Sequence, residues 1–84
     1  MTEIELQIVT TEKNIYTGKV TYIGVQSLEG RLGILPNHVS LITELSQGNV
    51  TYKESGGTQN IEITGGFMEV FNNSVTILAD AVKI

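Results

Sequence analysis

The sequence predicts an all-β domain, and three observations carry the prediction. Short runs alternate apolar and polar residues with a period of two. β-Branched and aromatic residues are concentrated in those runs, and turn signals separate the runs at intervals of roughly 8–12 residues. This combination is typical of a β-sandwich or a β-barrel. No long helical pattern is visible, so an α/β crossover fold is not expected.

The first third of the chain predicts two or three strands. Glu3–Val9 alternates isoleucine and leucine with glutamate and glutamine, as a half-buried strand does. Thr10–Asn14 is polar and favours a turn. Ile15–Gln26 is rich in β-branched and aromatic residues, but Gly18 and Gly24 interrupt it. That segment predicts either two strands or one bent strand with a bulge.

The middle of the chain holds one ambiguous segment. Glu29 and Gly30 form a turn signal, and Arg31–Leu35 predicts a short strand. The apolar residues of Leu35–Leu45 fit one face of a helix and equally fit a strand. Because proline restricts the residue before it to extended conformations, we predict a loop over residues 36–38 and a strand over Ser40–Leu45.

The second half of the chain alternates more regularly. Pairs of glycines or asparagines, which accept the positive φ angles of tight turns, separate most of the alternating segments. These segments predict four strands, at Val50–Glu54, Gln59–Thr64, Phe67–Phe71 and Ser74–Ala79.

Length and charge exclude several classes of function. A chain of 84 residues makes one small domain that buries only roughly 60–65% of its unfolded surface, so its core is thin. The net charge is −4 and the five basic residues are scattered, which argues against a nucleic-acid partner and against a polybasic contact with lipid. No apolar run approaches the ~20 residues of a membrane span, and the N-terminus does not resemble a signal peptide, so a cytoplasmic protein is expected.

No catalytic, metal or cofactor site is predicted. His38 is the single histidine, and no serine lies in a nucleophile-elbow context that would complete a hydrolytic triad. The chain has no cysteine and no cluster of histidine and carboxylates of the kind that holds zinc or iron. The glycines around Arg31 lack the spacing of a phosphate-binding loop. We therefore interpret His38 as a loop residue that bonds to backbone or stands at an interface.

Apolar residues lie on both sides of some predicted strands. Val9 sits on the polar side of its segment, and Tyr22, Ile23 and Val25 leave neither side polar. This pattern indicates either a second buried surface, and hence a protein partner, or strands that bend between two sheets. The sequence leaves both open.

Two motifs of the chain are distinctive. The first is EGRLGILPNHVSLIT, at Glu29–Thr43, and the second is GGFMEV at Gly65–Val70, followed by NNSVTILAD at Asn72–Asp80. Together they resemble the epsilon subunit of bacterial F-type ATP synthase. The opening of the chain, with LQIVTT at Leu6–Thr11 and YTG at Tyr16–Gly18, is similar too. The similarity runs over essentially the whole chain in the family's order.

The resemblance implies a single antiparallel β-sandwich of roughly ten short strands over residues 1–84. It implies a non-catalytic rotor subunit of the central stalk that binds the gamma subunit and the c-ring, and that couples proton translocation to ATP synthesis. Carried over residue by residue, it implies c-ring contacts at Glu29, Gly30, Arg31 and His38. It implies gamma contacts at Ile42 and Thr43.

The resemblance also sets expectations about location and ligands. A peripheral position on the cytoplasmic face of the plasma (inner) membrane is expected. Family members commonly continue into two C-terminal helices, and this sequence stops where they would begin, either as a truncated chain or as a naturally short subunit. Without that helical hairpin neither a bound nucleotide nor another cofactor is expected. The alternative from another class is a free-standing β-sandwich that binds carbohydrate or peptide.

Overall fold

A computed structural model describes residues 3–83, so Met1, Thr2 and Ile84 of the predicted domain lie outside the described residues. These residues form ten strands and no helix, and therefore contain no helix that could cross a membrane. The strands are β1 (Ile4–Val9), β2 (Asn14–Val20), β3 (Tyr22–Ser27), β4 (Gly30–Ile34), β5 (Leu41–Leu45), β6 (Gly48–Glu54), β7 (Gly57–Ile63), β8 (Gly66–Phe71), β9 (Ser74–Ala79) and β10 (Val82–Lys83). The predicted all-β class is confirmed.

The strands form one continuous sheet that folds over into two packed layers. Its order is β10-β7-β6-β3-β5-β8-β9-β1-β2, with β4 paired to β3. β3 and β5 share a single pair, Ser27 with Leu45, and the sheet turns over at that junction. Layer A is β5-β8-β9-β1-β2 and layer B is β4-β3-β6-β7-β10. Apolar side chains fill the space between the layers, as in a β-sandwich.

The prediction that every strand pair is antiparallel is wrong at one pair. β1 and β9 run parallel, with Glu5 opposite Ser74 and Val9 opposite Leu78. Side chains alternate with a period of two in both pairing directions, so alternation carries no information about direction. The direction follows from topology, because β1 inserts between β2 and β9, strands from the two ends of the chain. The other strand pairs of the described chain are antiparallel.

Two segments that the sequence left ambiguous have a definite structure. Ile15–Gln26 becomes two strands, β2 and β3, which separate at Thr21 and enter different layers. The segment before β5 is a turn, in which the His38 N–H donates to the Leu35 carbonyl at 3.2 Å. β5 itself is extended, so the predicted loop and strand are confirmed and the helical alternative is wrong.

Tyrosine side chains help to close the sandwich where β2 packs on β6. The rings of Tyr16 and Tyr52 lie 4.5 Å apart between centroids, tilted by 38°. The Tyr16 hydroxyl donates to the Glu54 carboxylate. Burial, and then the hydrogen bond and charge of Glu54, raise the pKa of Tyr16 to about 12. The neutral phenol is therefore the form that the folded state favours.

We expect Tyr16→Phe to change how stability depends on alkaline pH. The folded pKa of Tyr16 lies above its ordinary value of 10.0, so its contribution is complete below pH 10 and is lost as pH rises towards 12. Near pH 8 the wild type should be more stable than the variant by about 1 kcal/mol. Urea denaturation between pH 8 and 12 should show this difference shrinking above pH 10. A constant difference would contradict the role of the hydroxyl.

Candidate docking surface

The outer side of layer A carries exposed apolar side chains, which we call the apolar face. Its members are Ile42 on β5, Phe67 and Phe71 on β8, and Leu78 on β9, with exposures of 73%, 52%, 59% and 43%. β8 carries large apolar side chains on both sides, because Met68 and Val70 enter the core while the two phenylalanines point outward on either side of Glu69. The core does not need those aromatic rings, so their position indicates a surface for a partner.

Strand register makes the apolar face continuous. Phe67 lies opposite Leu78, and Leu78 lies opposite Val9 of the parallel neighbour β1. Val9, half-buried, thus borders the face. Ile42 lies opposite Glu69 one row further along. A shallow hollow of about 350 Å³ opens between Ile42, Phe67, Glu69 and Leu78.

The outer side of layer B is polar, and its polar groups bond to one another. The Arg31 guanidinium reaches across β3 and donates from Nη1 to the Asn49 carbonyl at 2.8 Å and from Nη2 to Thr51 Oγ1 at 3.1 Å. The Thr51 hydroxyl in turn donates to Asn60 Oδ1 at 2.6 Å. Lys83 and Glu62 form an ion pair at 3.7 Å. Layer A is therefore the side better suited to an apolar partner.

Glu29 and Gly30 lie at the tip of the β3–β4 hairpin. Ser27 shapes this tip, since its hydroxyl donates to the Gly30 carbonyl at 2.8 Å and accepts the Glu29 N–H at 3.2 Å. Gly30 has a φ of +124°, which favours glycine. Leu28 and Glu29 are exposed as a result. Sequence reasoning missed Ser27, although a serine two residues before a Glu-Gly pair is a recognised turn signal.

His38 lies at the opposite end of the sandwich from Glu29. β4 separates them, and its five residues span roughly 16 Å. The loop of His38 is held by Asn37 and Asn73: the Asn37 N–H donates to Asn73 Oδ1 at 2.5 Å, and Asn73 Nδ2 donates to Asn37 Oδ1 at 3.1 Å. His38 Nδ1 lies 2.7 Å from the carbonyl oxygen of Val39. The structure brings Glu29, Gly30 and Arg31 together but not His38.

Ile42 and Thr43 point to opposite sides of β5. Ile42 belongs to the apolar face, whereas half-buried Thr43 pairs with core residue Met68 and shares its inward direction. Sequence reasoning missed the other members of the face. The sequence signal that could have identified them is the two phenylalanines that alternate with methionine and valine along β8, and therefore lie on the opposite side of that strand.

Within residues 3–83 no group of three histidine, aspartate or glutamate side chains could hold a metal ion.

The two-layered sandwich with one apolar outer face and one polar outer face defines a small all-β domain with a candidate docking surface. Its sequence matches the family model for the ATP synthase delta/epsilon chain, beta-sandwich domain, over residues 3–84. The chain therefore belongs to that family, which confirms the resemblance seen in the two motifs.

Relatives and solved structures agree with this membership. The ATP synthase epsilon chain of Nitratidesulfovibrio vulgaris (strain DSM 19637 / Miyazaki F) is 41% identical over 80 residues, which cover 95% of this chain and 60% of the relative. That of Herpetosiphon aurantiacus is 45% identical over 80 residues, covering 95% and 59%. The chain thus spans about three fifths of the length of these curated relatives.

Two solved assemblies contain the same fold. A chain of the Euglena gracilis mitochondrial ATP synthase with OSCP, F1 and c-ring matches with a TM-score of 0.91 and 24% identity, covering 99% of this chain and 54% of that one. A chain of the Tetrahymena thermophila mitochondrial ATP synthase central stalk and c-ring matches with a TM-score of 0.80 and 18% identity, covering 95% and 65%. At these identities the likeness concerns the fold.

Proposed function

We propose that this chain acts as a non-catalytic rotor component of the central stalk of an F-type ATP synthase. It links the gamma subunit to the c-ring and so couples proton translocation to ATP synthesis, as a peripheral component at the cytoplasmic face of the plasma membrane. The observation that carries the proposal is the exposed apolar face of layer A on a domain whose other face is polar. Membership of the delta/epsilon family supports it.

The two kinds of contact are assigned to different parts of the molecule. The apolar face, with Ile42, binds gamma, while Thr43 supports β5 from the inner side. The exposed hairpin tip at Glu29 and Gly30 faces the polar loops of the c-ring. Arg31 lies behind that tip, and its guanidinium is engaged with β6, so it holds the hairpin in position.

The placement of His38 changes its proposed role. Since it lies at the far end of β4 from the hairpin tip, we do not assign it to the contact that Glu29 makes with the ring. Its loop is bonded to the β8–β9 turn, at the Phe71 end of the apolar face. We assign His38 to the border of the gamma contact.

A rigid body suits this function. The core side chains of both layers are almost fully buried, and close-packed interiors have low compressibility. Torque applied at the hairpin tip reaches the apolar face through hydrogen-bonded strands. The sandwich then transmits rotation with little deformation of its own.

Binding of purified gamma tests the proposal. Ile42→Asp places a charge in the apolar face without touching the core, and we expect it to weaken gamma binding by about 100-fold or more. The matched control is Thr58→Asp, an exposed strand residue of layer B, which should bind as the wild type does. Thermal melts establish that both variants fold. Wild-type protein that fails to bind gamma, or equal binding by Ile42→Asp, would overturn the proposal.

One observation favours the alternative of a carbohydrate-binding module, namely the exposed aromatic pair Phe67 and Phe71 on one side of β8. The two residues lie two positions apart, or roughly 7 Å, on the same side of the strand. Aliphatic side chains, Ile42 and Leu78, complete the surface, as at a protein–protein contact. Binding to a glycan array without binding to gamma would support the alternative.

A further inference from the structure

We infer that Glu69 is the polar centre of the gamma contact and pairs there with an arginine or lysine of gamma that becomes buried on docking. The inference rests on the proposed function, because it names the chemistry of the partner surface that the apolar face accepts. A purely apolar partner surface would not satisfy it.

Glu69 is surrounded by the apolar face. It lies midway along β8, with Phe67 and Phe71 two residues to either side and pointing in the same direction. Ile42 lies directly opposite it on β5, and Thr76 lies opposite on β9. Glu69 and Leu78 both line the hollow of about 350 Å³. A partner that covers the four apolar side chains must also cover this carboxylate.

The described residues 3–83 supply no cation for Glu69. Within residues 3–83 its carboxylate forms neither a hydrogen bond nor an ion pair. The nearest basic residue on this side in the strand register is Lys19 on β2. β2 lies three strand positions from β8, or roughly 14 Å, so Lys19 does not reach Glu69.

Covering Glu69 without a partner charge would oppose docking. The desolvation free energy of an ionised carboxylate that has no partner charge is far larger than the favourable free energy of the surrounding apolar contacts. A hydrogen-bonded cation offsets much of that desolvation cost. Glu44, opposite Phe67, adds negative charge at the border of the face. The surface is therefore complementary to a basic side chain set among apolar ones, and the planar fork of arginine fits a carboxylate best.

Two nearly isosteric substitutions separate this inference from simple apolar docking. Glu69→Gln removes the charge, and Glu69→Met removes the charge while enlarging the apolar area. If gamma presents a cation, both variants leave it unpaired, and the dissociation constant for gamma should rise by about 30-fold or more. If gamma presents only apolar groups at this point, Glu69→Met should bind more tightly than the wild type.

A matched control makes the same Glu→Gln substitution at another exposed position, and a charge reversal at Glu69 identifies the partner residue. Glu62→Gln lies on the outer side of layer B, away from the apolar face, and should leave the dissociation constant within about twofold. Glu69→Lys should bind least well, and replacing the gamma partner residue by glutamate should restore binding to it. A scan of the exposed arginines and lysines of gamma against Glu69→Lys identifies that partner.

The outcomes distinguish failure of this inference from failure of the proposed function. Unchanged or tighter gamma binding by both Glu69→Gln and Glu69→Met, with binding still weakened by Ile42→Asp, would overturn the inference and leave the function standing. Absence of gamma binding by the wild type would overturn both. Isothermal titration calorimetry at one fixed salt concentration provides the measurement, and thermal melts confirm that each exposed-site variant is folded.

Discussion

Gly66→Ala is expected to destabilise the domain by about 3 kcal/mol or more. A Cβ at this position would lie 2.1 Å from the Leu78 carbonyl oxygen and 3.0 Å from the Ala79 Cα, both of them backbone atoms of β9. The φ of Gly66 is +147°, which side-chain-bearing residues rarely adopt. Neither the steric conflict nor the strain can be relieved by rotating a side chain.

The effect of Gly66→Ala should extend to the docking surface. Gly66 pairs with Ala79 at the start of the β8–β9 ladder, and the next pair is Phe67 with Leu78 on the apolar face. Urea denaturation gives the loss of stability. Gly56→Ala is the matched control, because no atom lies within 4 Å of a Cβ there, and it should leave the midpoint nearly unchanged. Equal midpoints for the two variants would contradict the close approach of β8 and β9.

Ile77→Ala should cost about 2–5 kcal/mol of stability. Ile77 is fully buried in the middle of layer A, between Ile8 of β1 and Met68 of β8. Truncation removes apolar contacts and leaves a cavity in a core that is thin because the domain is small. The free energy of unfolding of so small a domain is only a few times larger than this loss, so a large fraction of Ile77→Ala should be unfolded at 37 °C.

Ile42→Ala is the control for Ile77→Ala, since the same truncation is made on the opposite side of the layer. Ile42 is 73% exposed, so its loss should change stability by no more than about 0.5 kcal/mol. Gamma binding should show the reverse order, with Ile42→Ala weakened and folded Ile77→Ala close to the wild type. If Ile42→Ala were as unstable as Ile77→Ala, the assignment of the inner and outer sides of β5 would be wrong.

Local alternation predicted much of this fold because a strand with one buried side needs apolar residues at every second position. β1 follows that rule over Ile4, Leu6 and Ile8, and β9 follows it over Val75, Ile77 and Ala79. Val9, which breaks the alternation, borders the apolar face beside Leu78. The sequence-based alternative of a second surface for a partner therefore describes Val9 better than a bend between sheets.

Contacts between distant segments decided what alternation could not. Glu29 and His38 are nine positions apart in the chain, yet an intervening strand carries them to opposite ends of the sandwich. Ile42 and Thr43 are adjacent, yet the pleat of β5 divides them between the apolar face and the inner side. The bonding of Arg31 to β6 likewise depends on the β3–β6 pairing, which brings residues 31 and 49 together.

The sequence by itself determined the all-β class, most of the strands and the family, because these depend on side-chain periodicity, turn residues and motif order. Only the tertiary structure decided that β1 and β9 run parallel, that His38 lies away from Glu29, Gly30 and Arg31, and that Glu69 lies among four exposed apolar side chains. The physical reason is that pairing direction and strand neighbours minimise the free energy of the whole domain. The residues of a single strand do not specify which other strand pairs with it.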